Sequence, residues 1–167
     1  MVITRTKLMI HDDILKPFPD VTIKFAGVDP LKFAHKVTNI LCAVFRVHRG
    51  QIQEKKVSIT KGDPEKFKFV WEMDKDLDKF TYYYLELEVS GSMSKGVGHA
   101  EVVIKPALRT EYPQDTVWEK SLLYEFVRMA WHTFFYNSKR EEWIRDGRRL
   151  VAQLIEDIKA LSHKEQD

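Results

Sequence analysis

Residues 66–92 read KFKFVWEMDKDLDKFTYYYLELEVSGS, and their alternation decides the fold class. Phe67, Phe69, Trp71 and Met73 share one face of an extended segment, with Lys66, Lys68 and Glu72 on the other. Successive side chains of a strand point to opposite faces, so this period of two predicts a strand with one buried side. The polar DKDLDK turns the chain into a second strand, where Tyr83, Leu85, Leu87 and Val89 face one way and Glu86 and Glu88 the other. Phe80, Tyr82 and Tyr84 begin that second face, so part of this strand has aromatic rings on both sides and needs something packed against each.

Downstream, a glycine-bearing connection leads into HAEVVIKPAL, where Ala100, Val102, Ile104 and Leu108 alternate with His99, Glu101 and Lys105. Two alternating strands around such a link predict a hairpin. Pro106 has no N–H to give to a ladder, which predicts an edge strand or a bulge at that point. Upstream, VTIKFAG sets Val21, Ile23 and Phe25 on one face, QIQEKKVSITKG forms a weaker strand carrying Val57 and Ile59, and VITRTKLMI is a further candidate strand. A helix follows the VTIKFAG strand. Asp29 is suited to its N-cap and Pro30 to its first position, and Ala34, Val37, Leu41 and Val44 recur at helical spacing, widened by Phe33, Ile40 and Val47. Gly50 is the expected stop, with Arg46 and Arg49 before it, where positive charge suits a helix carboxyl end.

The C-terminal third is helical. Thr116 with Glu119 and Ser138 with Glu141 have the spacing of capping boxes, which predicts two helices and not one long one. In the last of them Ile144, Gly147, Val151, Leu154, Ile158 and Leu161 form an apolar seam whose glycine admits a close neighbour. Over 117–136, at about 100° per residue, the polar positions shrink to the line Ser121, Glu125, Arg128 and His132, leaving roughly two-thirds of the circumference apolar. Such a helix needs more than one neighbour to cover it.

These elements predict a single α+β domain over 1–167: a curved antiparallel sheet of five or six strands, one helix after an early strand, and two C-terminal helices packed on the sheet. Their order resembles helix-grip and hotdog-like architectures in outline. The chain has 167 residues, 44% of them hydrophobic and 31% charged, a composition that supports a folded core without staples. Lys and Arg exceed Asp and Glu by 27 to 25, so the formal charge of +2 creates no global field for nucleic acid or anionic membrane. A lone Cys42 excludes an intramolecular disulfide, and with no signal-like start or long apolar run a soluble, cytoplasmic protein is expected.

No reaction is legible. Cys42 and His35 lie seven residues apart on the first helix, with Asn39 between them, yet at 1.5 Å rise per residue they stand about 10 Å apart, beyond nucleophile–base reach. The histidines lack metal-ligand spacing, HDD at 11–13 stands alone, and SGSMSKGVG lacks the strand–loop–helix setting of a phosphate loop, so neither metal nor cofactor is expected.

The leading expectation is a non-enzymatic binding module. It would hold a small apolar or aromatic ligand between sheet and C-terminal helix, with Trp71, Tyr82, Tyr84, Trp131 and Phe135 as lining and Glu125, Arg128 and His132 as the orienting polar groups. The alternative from another class is a nucleic-acid-binding or assembly protein. It would use Lys139, Arg140, Arg145, Arg148 and Arg149 against phosphates or an acidic protein surface, although Glu141, Glu142 and Asp146 neutralise part of that segment. A third reading is a structural homodimer formed through the surplus apolar helix face. At the strand-to-helix corner, Arg109, Thr110, Glu111 and Tyr112 suggest either a buried ion pair or the rim of a pocket.

Overall fold

The computed structural model describes residues 6–114, 130 and 136–165, with the side chains of 6–8 and 112–114 outside the described set. Within them the order is β1 (Thr6–Asp13), β2 (Val21–Val28), α1 (Pro30–Phe45), β3 (Ile52–Thr60), β4 (Glu65–Asp76), β5 (Thr81–Ser94), β6 (Val97–Gln114) and α2 (Asn137–Lys164). The described residues thus form an α+β structure with an antiparallel sheet of six strands and two α-helices. The helix expected from Thr116, and with it Glu125, Arg128, Trp131, His132 and Phe135, lies outside the described residues.

Strand order is β1-β6-β5-β4-β3, and β2 also pairs with β6. β6 is long enough to serve two neighbours on one side: Val97 to Ile104 pair with β2, and Ala107 to Gln114 pair with β1. This corrects the expectation that Pro106 marks an edge or a bulge. β6 has partners on both sides, and Pro106 pairs in register with Leu85 of β5. Its carbonyl accepts from Ile14 N at 3.5 Å in the gap between β1 and β2. A residue's N and O point to the same side of a strand, so the missing N–H faces that gap and costs the ladder nothing.

The β5–β6 hairpin closes through Lys95 and Gly96 with φ of 50 and 83°. Positive φ at both central positions defines the turn whose twist matches that of the flanking strands. At the other end of β5, Asp78 Oδ1 accepts from Phe80 N at 2.8 Å and Thr81 N at 2.7 Å, which fixes the β4–β5 turn.

Both helices lie on one face of the sheet. Phe67, Phe69, Trp71 and Met73 of β4, Tyr83, Leu85, Leu87 and Val89 of β5, and Val102, Ile104 and Leu108 of β6 form one contiguous core with Phe33, Val37 and Leu41 of α1 and Val151, Leu154 and Ile158 of α2. Asp29 caps α1 by accepting from Lys32 N at 3.0 Å, and Pro30 takes the first position. The expected end at Gly50 is corrected: α1 stops at Phe45, where Arg46 takes a left-handed conformation and its N–H returns to Ala43 O at 3.3 Å. Gly50 sits beyond, in a 3-10 turn over Arg49–Gln51.

The seam of α2 is buried at Gly147, Val151, Leu154 and Ile158. A Cβ placed on Gly147 would lie 3.0 Å from Tyr83 Cε1 and 3.1 Å from Ile14 Cδ1, which accounts for the small residue there. The expected start at Ser138 is also corrected, since the backbone is already helical at Tyr136, φ −90 and ψ −26°, with no side-chain cap. Tyr136 instead donates its hydroxyl to Asp78 Oδ2 at 2.9 Å and meets Thr81 Oγ1, tying the start of α2 to the β4–β5 turn. At the far end of the sheet's first position, Arg140 grips Asp12 through Nε at 2.6 Å and through Nη2. Arg148 Nε donates to Ile14 O at 2.9 Å.

Candidate functional site

The face turned away from the helices is where chemistry gathers. Register alone predicts its rows. Glu72 of β4 pairs with Glu86 of β5, which pairs with Lys105 of β6; Asp74 pairs with Tyr84 and Tyr84 with Ala107; Asp76 pairs with Tyr82, Tyr82 with Arg109, and Arg109 with His11 of β1. Each row brings side chains of adjacent strands to within contact range.

The first row balances its charges internally, with Lys55 Nζ to Glu72 Oε2 at 3.0 Å and Lys105 Nζ to Glu86 Oε1 at 2.7 Å separating the paired carboxylates. Lys105 is raised above the ordinary ammonium range, first by its hydrogen bond to Glu86. The other two rows centre on Arg109. Its guanidinium carbon lies 3.3 Å from the centroid of the Tyr84 ring, a stacked cation–π contact. Beside it, Tyr82 donates to Glu111 Oε1 at 2.5 Å. Arg109 Nε is buried and has no hydrogen-bond partner among the described residues. A buried guanidinium N–H left unmade costs on the order of 1–3 kcal/mol, which sets Arg109 apart from the paired charges around it.

Tyr84 is 8% exposed and Ala107 3%, yet neither belongs to the contiguous core. They form a second, smaller buried patch on the opposite face. Burial pushes the Tyr82 phenol up to about 12, assisted by Glu111 and opposed by Arg109. Burial likewise pushes Tyr84 up to about 12, with Glu72 adding to it. Both are therefore O–H donors at neutral pH. Asp74, although its edge is exposed, is raised by the hydration it loses against the sheet and further by Glu72, Asp76 and Glu111, while Arg109 draws it down.

A cleft of about 330 Å³ opens beside these groups, walled by Tyr84, Arg109, Lys105 and Glu86 from the sheet, His11 and Asp13 from β1, and Pro19 and Asp20 from the loop after it. His11 Nε2 stands 3.3 Å from Asp13 Oδ1, so HDD is split by the strand: His11 and Asp13 face the cleft and Asp12 turns to Arg140. Among the described residues no group of three or more His, Cys, Asp or Glu could hold a metal ion.

The sequence-derived lining set is therefore divided. Tyr82 and Tyr84 come together on this face, whereas Trp71, 3% exposed and stacked on Phe69 at 5.1 Å, lies on the helix-covered side. Trp71 Nε1 reaches Glu54 Oε1 at 3.4 Å. Of the basic segment, Arg140 is held by Asp12, Arg148 by Ile14 O and Arg149 by Asp146 Oδ1 at 3.0 Å. Lys139 Nζ lies 5.4 Å over the Trp143 ring, and Arg145 is exposed at the rim of a cleft shared with Lys16. The strand-to-helix corner contributes Arg109 and Glu111 to the face just described. Lys105 enters it from a position read as the outer face of a strand, Asp74 from a stretch read as a turn but lying within β4, and His11 from HDD, which lies within β1; only the strand register reveals their neighbours.

No family model matches this sequence, and no curated protein matches it. Among the described residues no helix is long and apolar enough to cross a membrane.

Proposed function

We propose that the protein is a small-molecule binding module whose site is the sheet face around Tyr84 and Arg109. Its ligand combines an aromatic or apolar body with one anionic or carbonyl acceptor. The observation that carries this reading is the buried, unsatisfied Arg109 Nε beside Tyr84, which is buried outside the main core, and the half-buried Tyr82. The cleft is of the size that small ligands fill, at the lower end of about 300–1,000 Å³. An acceptor on the ligand would complete Arg109, while Tyr82, whose hydroxyl donates to Glu111, and Tyr84, whose hydroxyl donates to Glu86 Oε2 at 3.5 Å, would offer ring faces to its apolar body. Asp13, Asp20 and Glu86 at the rim disfavour ligands with more than one negative charge.

Binding, not turnover, is the activity inferred. The tyrosines, pushed up by burial, stay protonated and present no phenolate base at neutral pH, and no Ser, Thr or Cys lines the cleft among the described residues. The site differs from the chamber expected between sheet and C-terminal helix in one respect: its described walls are strands and the loop after β1.

The test is thermal denaturation against a panel of aromatic carboxylates and short fatty acids, with wild type and Arg109→Met in parallel. A ligand present at about 100 times its Kd adds roughly 2.7 kcal/mol of stability, a rise of several degrees for a chain of this size. The expected result is such a rise for one ligand class in wild type and its loss in Arg109→Met. A panel without any response, or a response that survives Arg109→Met unchanged, overturns the reading.

A further inference from the structure

The chain ends α1 on a left-handed residue without using a glycine. Arg46 adopts φ 52 and ψ 48°, a conformation that is costly for a residue with a Cβ, while Gly50 stands in open space four residues later. Strain of this kind is kept where something else depends on it. Beside it lies a convergence of cations. Arg46 from the end of α1, Lys75 from β4 and Arg149 from α2 line one cleft of about 360 Å³ together with Gln153.

The charges in that cleft do not cancel. Lys75 Nζ donates to Phe45 O at 2.8 Å and so answers one carbonyl at the helix end, and Arg149 pairs with Asp146 at 3.0 Å. Among the described residues Arg46 and Lys75 have no ion pair. Three cations less one carboxylate leave two, and the carboxyl end of α1 subtracts about half a charge more. The remaining excess of about one and a half charges matches a phosphate group, which carries about −1.5 to −2 at pH 7. Two guanidiniums supply paired N–H donors of the geometry phosphate accepts.

We infer that this cleft is a second binding site, distinct from the sheet face, and that it takes the phosphate group of a small molecule. A nucleic-acid strand fits it less well, because a strand needs a track of free cations and here Arg140 and Arg148 are engaged by Asp12 and by Ile14 O.

The experiment is calorimetric titration with pyrophosphate, with inorganic phosphate and with a short single-stranded oligonucleotide, each against chloride at equal ionic strength. Wild type, Arg46→Gly and Arg149→Ala are compared. Saturable one-site binding of pyrophosphate or phosphate is expected in wild type, weakened at least about tenfold in both variants. Arg46→Gly separates function from folding. Glycine takes the left-handed conformation freely, so its Tm should hold or rise while its binding falls. Binding that persists in Arg46→Gly, the absence of saturable binding up to ~10 mM, or binding of the oligonucleotide alone each overturns the inference.

Discussion

The two faces of the sheet share the same strands and follow opposite rules. On the helix-covered face the centres of β4, β5 and β6 are apolar at every second residue, and Met73, Leu87, Val102 and Ile104 are wholly buried. On the other face the same strands carry Lys105 against Glu86, Arg109 against Tyr84 and Tyr82 against Glu111. The first face is held mainly by area removed from water, a large contribution that does not itself titrate, although burial pushes the Tyr83 phenol there up to about 12 as well. The second is held by directed polar contacts, each small in net terms and each dependent on its partner. A face of the first kind makes the fold; a face of the second kind, with one donor left over, is equipped to recognise something.

Substitutions on the two faces should therefore separate stability from binding. Leu87→Ala, which empties a fully buried site in the core between the sheet and the helices, should cost about 3 kcal/mol in chemical denaturation. A loss under ~1 kcal/mol would mean that this side of the sheet is not the dominant core. Gly147→Val should cost about 2 kcal/mol, because added methyl groups would press into Tyr83 and Ile14, both themselves buried. If Gly147→Val is neutral, α2 does not approach the sheet as closely as described.

The polar face should answer to pH instead. The folded pKa values of Tyr82 and Tyr84, about 12, lie above the ordinary phenol value of 10, so the protonated forms are favoured by folding. Their contribution to stability is then fully present below about pH 10 and is lost as pH rises through the folded values. Denaturation midpoints measured from pH 9 to 12 should fall across that window and fall less steeply in Tyr82→Phe. A slope unchanged by the substitution would remove Tyr82 from the account. The smallest stability effect belongs to Arg109→Met, expected within about 1 kcal/mol of wild type because its stacking on Tyr84 is partly retained by the methionine.

The same contrast explains how much could be read beforehand. Period-two alternation identified β4, β5 and β6, and helical spacing identified the buried stripe of α1 from Phe33 to Val44 and the seam of α2 from Gly147 to Ile158, because apolar burial leaves a local, repeated mark. Polar contacts leave none. Glu72, Asp74 and Lys105 have the spacing of any solvated strand face, and their assembly with Arg109 depends on register between strands up to dozens of residues apart. Pro106 misled for a related reason: its missing donor is harmless only because β1 and β2 divide the length of β6 between them, a tertiary arrangement invisible to local pattern. Arg46 shows the limit most sharply, since a glycine was at hand and the chain turned on an arginine instead.

The most direct measurement of the central claim is amide and side-chain NMR during titration with the strongest ligand from the aromatic carboxylate panel. The account predicts shifts concentrated at Tyr82, Tyr84, Arg109, Lys105 and His11, with Phe69, Leu87 and Val102 silent. Shifts centred on the helix-covered residues, with Tyr84 and Arg109 unmoved, would contradict it.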